Sequence, residues 1–139
     1  MKRTSTNILT PKSQEKVDNL NLSKSEKGIL RSLMTDPISY IPHPDFTKRS
    51  LMGSLMEKKV TVIPGTSIET EEEQTLFLQM NYARHKTCLL RRKLLRQAKW
   101  DTDDVKQLLH FYHVQLAARS QIVTCNMGLV LSMAQRVKY

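Results

Sequence analysis

Five cations, Arg84, Lys86, Arg91, Arg92 and Lys93, crowd residues 84–93 and continue into Arg96 and Lys99. Guanidinium and ammonium groups on successive helical turns offer charge-assisted donors to phosphate oxygens. The chemistry open to such a run is contact with a nucleic-acid backbone, read out as affinity that falls with salt. Cations near a helix C-terminus also complement the helix dipole without any partner. That accounts for Arg96 and Lys99 but not for a run several turns long. His85 with Cys88, and His110 with His113, stand three residues apart and together supply a zinc-type donor set. Histidine pairs on helices are ordinarily polar-face residues, so no metal and no cofactor is assigned. Asp103-Asp104 reads as the first turn of a helix rather than a metal pair. The sequence has no glycine-rich phosphate loop, no paired-carboxylate pocket and no nucleophile–base motif, so no catalysis and no small-molecule substrate are expected. Asn126 falls on an apolar helical face beside Met127 and Val130, where an unpaired amide would cost about 1–3 kcal/mol. That face is a candidate for burial by a partner.

The bulk numbers bound the partners. A chain of 139 residues is long enough for one domain with a core. A formal charge of +9 and a pI of about 9.8 make a polyanion the first partner to consider. Two cysteines, Cys88 and Cys125, make no disulfide framework and suit a reducing cytoplasm. No apolar run approaches the roughly 18 residues of a membrane span, and the basic N-terminus lacks the apolar stretch of an export signal.

The elements that position these residues are helical. Residues 1–22 are polar and read as a mobile or transiently helical extension. Ser23-Lys24-Ser25-Glu26 is a capping box with Ile29, Leu30, Leu33 and Met34 as the apolar face behind it, and Asp36-Pro37 ends that helix. Two closely spaced prolines then force an extended segment anchored by Tyr40, Ile41 and Phe46. A short amphipathic helix is expected over Ser50–Glu57, and Val60–Ile63 is read as extended loop. Thr70–Gln97 is the first long helix, opened by a capping box of Thr70 and Glu73. Its packing seam is Leu76, Met80, Ala83, Thr87, Leu90 and Leu94, spaced by fours and threes. After a break at Lys99–Asp101, a second long helix is capped by Asp101 or Thr102. Val105, Leu109, Tyr112, Leu116, Val123, Met127, Val130, Ala134 and Val137 give it one heptad frame. Its last stretch, 117–139, spreads apolar residues over an arc of about 200°, twice the ordinary stripe and more than one neighbouring helix covers. The expected fold is therefore all-α, a long antiparallel helical hairpin over 70–139 preceded by an arm with a short helix, 1–35, and a proline-containing linker, 36–69.

Residues 126–139, Asn-Met-Gly-Leu-Val-Leu-Ser-Met-Ala-Gln-Arg-Val-Lys-Tyr, resemble the opening of conserved region two in bacterial RNA polymerase sigma factors of the primary, sigma-seventy, family. Those proteins typically read Asn-Leu-Arg-Leu-Val-(Val/Ile)-Ser-Ile-Ala-Lys-Lys-Tyr there; the order here differs at Met127 and Gly128. Residues 71–82 are similar to region one-point-two, one branch of which shares the Leu-Phe-x-x-Met-Asn-Tyr core. Residues 39–46 resemble a Ser-Tyr-Ile-Pro-x-Pro-x-Phe segment found upstream of that region in some members.

The resemblance implies a transcription initiation factor in the cytoplasm whose partners are the core polymerase and promoter DNA. By position, Asn126, Met127 and Val130 would meet the clamp helices of the largest polymerase subunit. The basic run would lie near DNA downstream of the minus-ten element. It also implies an incomplete region-two domain, a truncated or split factor, because the helices that read the minus-ten and minus-thirty-five elements would follow Tyr139. Such a chain is not expected to initiate alone. Two other readings fit the residues: a small helical protein that modulates polymerase or a sigma factor, and a general basic nucleic-acid-binding module.

Overall fold

The computed structural model describes residues 9–64 and 66–136, the backbone alone for 128–136. Every regular element among them is helical: α1 Pro11–Asp18, α2 Lys24–Thr35, a 3-10 turn Pro44–Thr47, α3 Arg49–Glu57, α4 Thr70–Arg96 and α5 Thr102–Arg136. The chain divides into two compact units, one of residues 1–39 with 86–111 and the other of residues 40–85 with 112–139. The two long helices contribute to both. Within each unit they run antiparallel: Lys86 meets Phe111 and Lys93 meets Asp104 in the first, while Arg84 meets Gln115 in the second.

In the first unit the helix ends follow the local signals. Ser23 Oγ accepts from Glu26 N at 3.1 Å and Glu26 Oε1 accepts from Ser23 N at 3.2 Å, the expected capping box. Asp36 closes α2 ahead of Pro37. Asp101 caps α5, its carbonyl accepting from Val105 N and its carboxylate from Asp103 N. The core consists of Leu30, Leu33 and Met34 of α2, Leu90 and Leu94 of α4, Trp100, and Val105, Leu108 and Leu109 of α5. Val17 of α1 joins it with no exposed surface. α1 falls within the arm expected to be mobile or transiently helical. Its helix is started by Thr10, whose hydroxyl accepts from Ser13 N, and by Pro11 at the first helical position. One buried valine anchors it where the surrounding polar composition suggests nothing to bury. Residues 1–8 of that arm lie outside the described residues.

Cations complete the carbonyl ends of three helices here. Lys27 Nζ donates to Asp18 O at 3.0 Å, Arg91 Nη1 to Leu33 O at 3.2 Å and Asp36 O at 2.6 Å, and Lys16 Nζ to Gln97 O at 2.9 Å. Terminal carbonyls lack intrahelical partners, and a cation there also meets the negative end of the dipole.

In the second unit three residues of the proline-containing stretch, Phe46, Met52 and Leu55, enter the core. They form a buried cluster against which Tyr40, Leu78 and Tyr82 pack. Ile41, expected as a hydrophobic anchor, is 74% exposed; its backbone does the anchoring, with N–H donating to Asn81 Oδ1 at 2.9 Å. Two more helix amides bind backbone carbonyls. Buried Gln79 donates to Leu55 O and Lys58 O, and Gln121 donates to Val60 O at 2.8 Å. Val60–Ile63 is loop: strand-forming residues with no second strand to pair with among the described residues are held by a side chain instead.

The α4 seam is as spaced. Leu76, Ala83 and Leu94 are fully buried, Thr87 and Leu90 nearly so, and Met80 is half-buried. The helix starts at Thr70 as expected, but Thr70 is already helical rather than the cap, since Glu69 O accepts from Glu73 N. On α5 the expected frame fails at Val123 and Met127, while the side chains of Val130, Ala134 and Val137 lie outside the described residues. Val123 and Met127 are 53% and 45% exposed, while Ala118 and Cys125 are buried and Gln115 and Ile122 half-buried. The inward stripe is the one that continues from Leu108 at alternating steps of three and four. Small Ala118 and Cys125 fill that inward stripe, and the larger Val123 and Met127 are turned away.

Candidate partner and nucleic-acid surfaces

The five cations assigned to phosphate have different surroundings. Arg91 spends its guanidinium on the end of α2. Lys93 pairs with Asp104 at 3.1 Å, although its own side chain stays 60% exposed. Arg84 Nε donates to Gln115 Oε1 at 3.1 Å, and Lys86 Nζ sits 5.9 Å over the Phe111 ring, a cation–π contact. Arg92 is exposed, as are Arg96 and Lys99. The run is thus two sets interleaved along one helix: one set holds the fold together and the other faces solvent. Nothing in the spacing distinguishes them, because a long side chain finds its partner on a different element.

Charge is divided unequally between the units. Of 22 Lys and Arg and 13 Asp and Glu, residues 1–39 and 86–111 hold 14 and 7, and the remainder hold 8 and 6. The excess of positive charge sits mainly in the unit that contains Arg92, Arg96 and Lys99. The opposite end of α4 opens with Glu71, Glu72 and Glu73, so its side-chain charges oppose its own dipole at both ends, a stabilising arrangement.

Asp104 is the buried carboxylate of the set, 5% exposed. The hydrogen bond from Gln97, and then the bond and charge of Lys93, hold its carboxyl below the ordinary 3.8, outweighing burial, which acts the other way. A carboxyl depressed in the folded state contributes stability above its ordinary pKa and loses it as pH falls through the depressed value. The gap in unfolding free energy between the native chain and Asp104→Asn should therefore be full near neutral pH and close in strongly acidic buffer. A urea-unfolding series across pH measures it, and a gap that stays constant would refute the coupling.

Of the three residues assigned to the polymerase, Met127 is nearly half exposed and stands one turn from exposed Val123 on the outer face of α5. Asn126 is half-buried and satisfies its amide within its own helix, Nδ2 donating to Ile122 O at 2.8 Å. That bond lowers the cost of the amide on this face without a facing backbone. The Val130 side chain, and with it most of the wide apolar arc, lies outside the described residues. On the inner face the Cys125 thiol is pushed up by burial and then by the charge of Glu73, so it is a packing group rather than a reactive one.

The zinc-type donor set is not assembled. Among the described residues no three His, Cys, Asp or Glu side chains are placed to hold a metal. His85 Nδ1 lies 3.0 Å from Tyr40 Oη amid the rings of Phe46 and Tyr82. Cys88 is buried, and His110 and His113 are exposed. No described helix is long and apolar enough to cross a membrane.

One feature escapes sequence reading altogether. A cleft of about 280 Å³ in the first unit is lined by Lys12, Lys16 and Leu20 on one side and Lys99 and Trp100 on the other. Trp100 is 3% exposed and its indole Nε1 has no acceptor among the described residues. A buried donor left unmet costs about 1–3 kcal/mol. A lone tryptophan in a chain break gives no hint of this.

No protein-family model matches the chain, and neither does any curated protein or solved structure.

Proposed function

We propose that the chain is the part of a transcription initiation factor that attaches to core RNA polymerase and lies against promoter DNA. The observation that carries the reading is the outer face of α5. Val123 and Met127 are large apolar side chains one turn apart, left outside by the helix pair. Met127 lies within, and Val123 just before, residues 126–139, whose order resembles the opening of sigma region two apart from Met127 and Gly128. An apolar helix face of this kind is suited to packing against a partner helix. Met127 and Val130 would supply the contact with the clamp helices, and Asn126 would keep the local helix geometry. The solvent-facing cations, Arg92, Arg96 and Lys99, would meet the DNA backbone, with Lys86 and Lys93 at the margin.

Retention of core polymerase on the immobilised full chain tests this reading; a chain that retains none at low salt is not such a factor. Binding to a duplex promoter fragment tests the second half. Each phosphate contact contributes about 0.9 to the slope of log affinity against log salt, so Arg92→Ala should flatten the slope by about one contact. Arg91→Ala should instead lower folding stability, because its guanidinium holds the end of α2. DNA binding with no polymerase retention would favour a basic nucleic-acid module, a reading that the charge excess in residues 1–39 and 86–111 also accommodates.

A further inference from the structure

We propose that α1 is a releasable cover over Trp100, opening by itself while α2, α4 and α5 stay folded. The first observation is how little holds it. With 8 residues, α1 is shorter than the about 12–15 that a helix needs to persist alone in water, so it exists only by docking. Val17 is its one buried side chain. The other ties are polar: Lys16 Nζ to Gln97 O, Lys27 Nζ to Asp18 O, and the Arg31–Asp18 pair at 2.9 Å. Both side chains of that pair are exposed, and exposed pairs contribute little.

Two effects work against docking. Ordering the backbone of α1 costs conformational entropy. Lys12 and Lys16 also share one cleft with Lys99, against a single carboxylate, Glu15, so like charges face each other across it. By contrast α2 buries Leu30, Leu33 and Met34, and the start of α5 buries Val105, Leu108 and Leu109. Elements with few buried apolar side chains are the ones that open first.

The second observation is what stands beside α1. Trp100 lies in the short connection between α4 and α5, yet it is only 3% exposed. It lines the same cleft as Lys12, Glu15 and Lys16 of α1, and Lys16 is bonded to the carbonyl three residues before it. Release of α1 therefore frees Gln97 O and bares the tryptophan, converting a closed helix connection into an open one. The device is a local two-state switch at the end of the hairpin. It stands apart from the polymerase reading and survives its failure.

Native-state hydrogen exchange of the full chain in low urea tests the switch. The amides of α1 should exchange at least about a hundredfold faster than core amides of α2 and α5, and with a weaker urea dependence because less surface is exposed. Trp100 is the chain's one tryptophan, so its emission reports on the cover. Val17→Asp puts a charge where α1 must be dry. It should strip protection from α1 and raise acrylamide quenching of Trp100 at least about twofold, with α2 and α5 still protected. Amides of α1 that exchange only together with those of α2 and α5 overturn the proposal, as does an α1 without protection in the native chain. Quenching that stays unchanged once Val17→Asp has freed α1 also overturns it, since something else would then cover the tryptophan. Should that variant misfold, the exchange series on the native chain still decides.

Discussion

Leu94→Ala should lower the unfolding free energy by about 2–5 kcal/mol, the range for deleting a fully buried leucine side chain. Leu94 has no exposed surface and closes the seam of α4 at the level of the Asp104 carboxylate. Two terms add: the lost transfer of its methyl groups out of water, and the cavity that remains if neighbours cannot collapse into it. Leu90, one turn earlier, and Leu108 of α5 are themselves buried in the same unit, and side chains already packed on helices have little room to collapse, so the upper half of the range is expected. Domains of this size are stable by about 5–15 kcal/mol in total, so the loss is a large fraction of the whole. Urea unfolding measures it as a fall in midpoint with little change in slope. A loss under 1 kcal/mol would mean that the seam is not packed as described. Leu95→Ala supplies the contrast: one residue along, that side chain is 53% exposed and its removal should cost little.

Met127→Asp should reduce retention of core polymerase at least about tenfold, which corresponds to roughly 1.4 kcal/mol. Burying a methionine side chain at an interface contributes about 1.5–3 kcal/mol, and a carboxylate in its place adds the cost of desolvating an unpaired charge. Both penalties arise only on binding, because Met127 is already half in water in the free chain. The folded state should therefore be unaffected, and circular dichroism checks that. Val130→Asp should act in the same direction from the next turn. Unchanged retention in both variants would place the polymerase contact elsewhere or remove it. A loss of helicity alongside lost retention would point instead to a structural role for these side chains.

Sequence reading succeeded where the determinant was local. Ser23 and Glu26 make a capping box because each bonds a backbone group three residues away, and Pro37 stops α2 through its own ring. Asp101 starts α5 by the same short-range logic. The α4 seam was legible because its apolar residues lie on a single stripe, so only one face can be buried. Local composition misled at one anchor. Ile41 looked like an anchor by type, but its neighbour Asn81 takes hold of the backbone instead.

The amino-acid order by itself determined that this chain is helical, where most of its helices begin and end, and that two of them are long. Helical hydrogen bonds and caps close within a few residues, so they need no knowledge of the rest of the molecule. Only the tertiary structure decided which stripe of α5 turns inward. That helix carries apolar residues on more than one face, and the ones that turn inward include the small Ala118 and Cys125. The same holds for the cations: Arg91 and Lys93 reach partners on α2 and α5, while Arg92 between them faces water. A side chain several bonds long ends far from its own backbone, and what it meets there is set by the packing of distant segments.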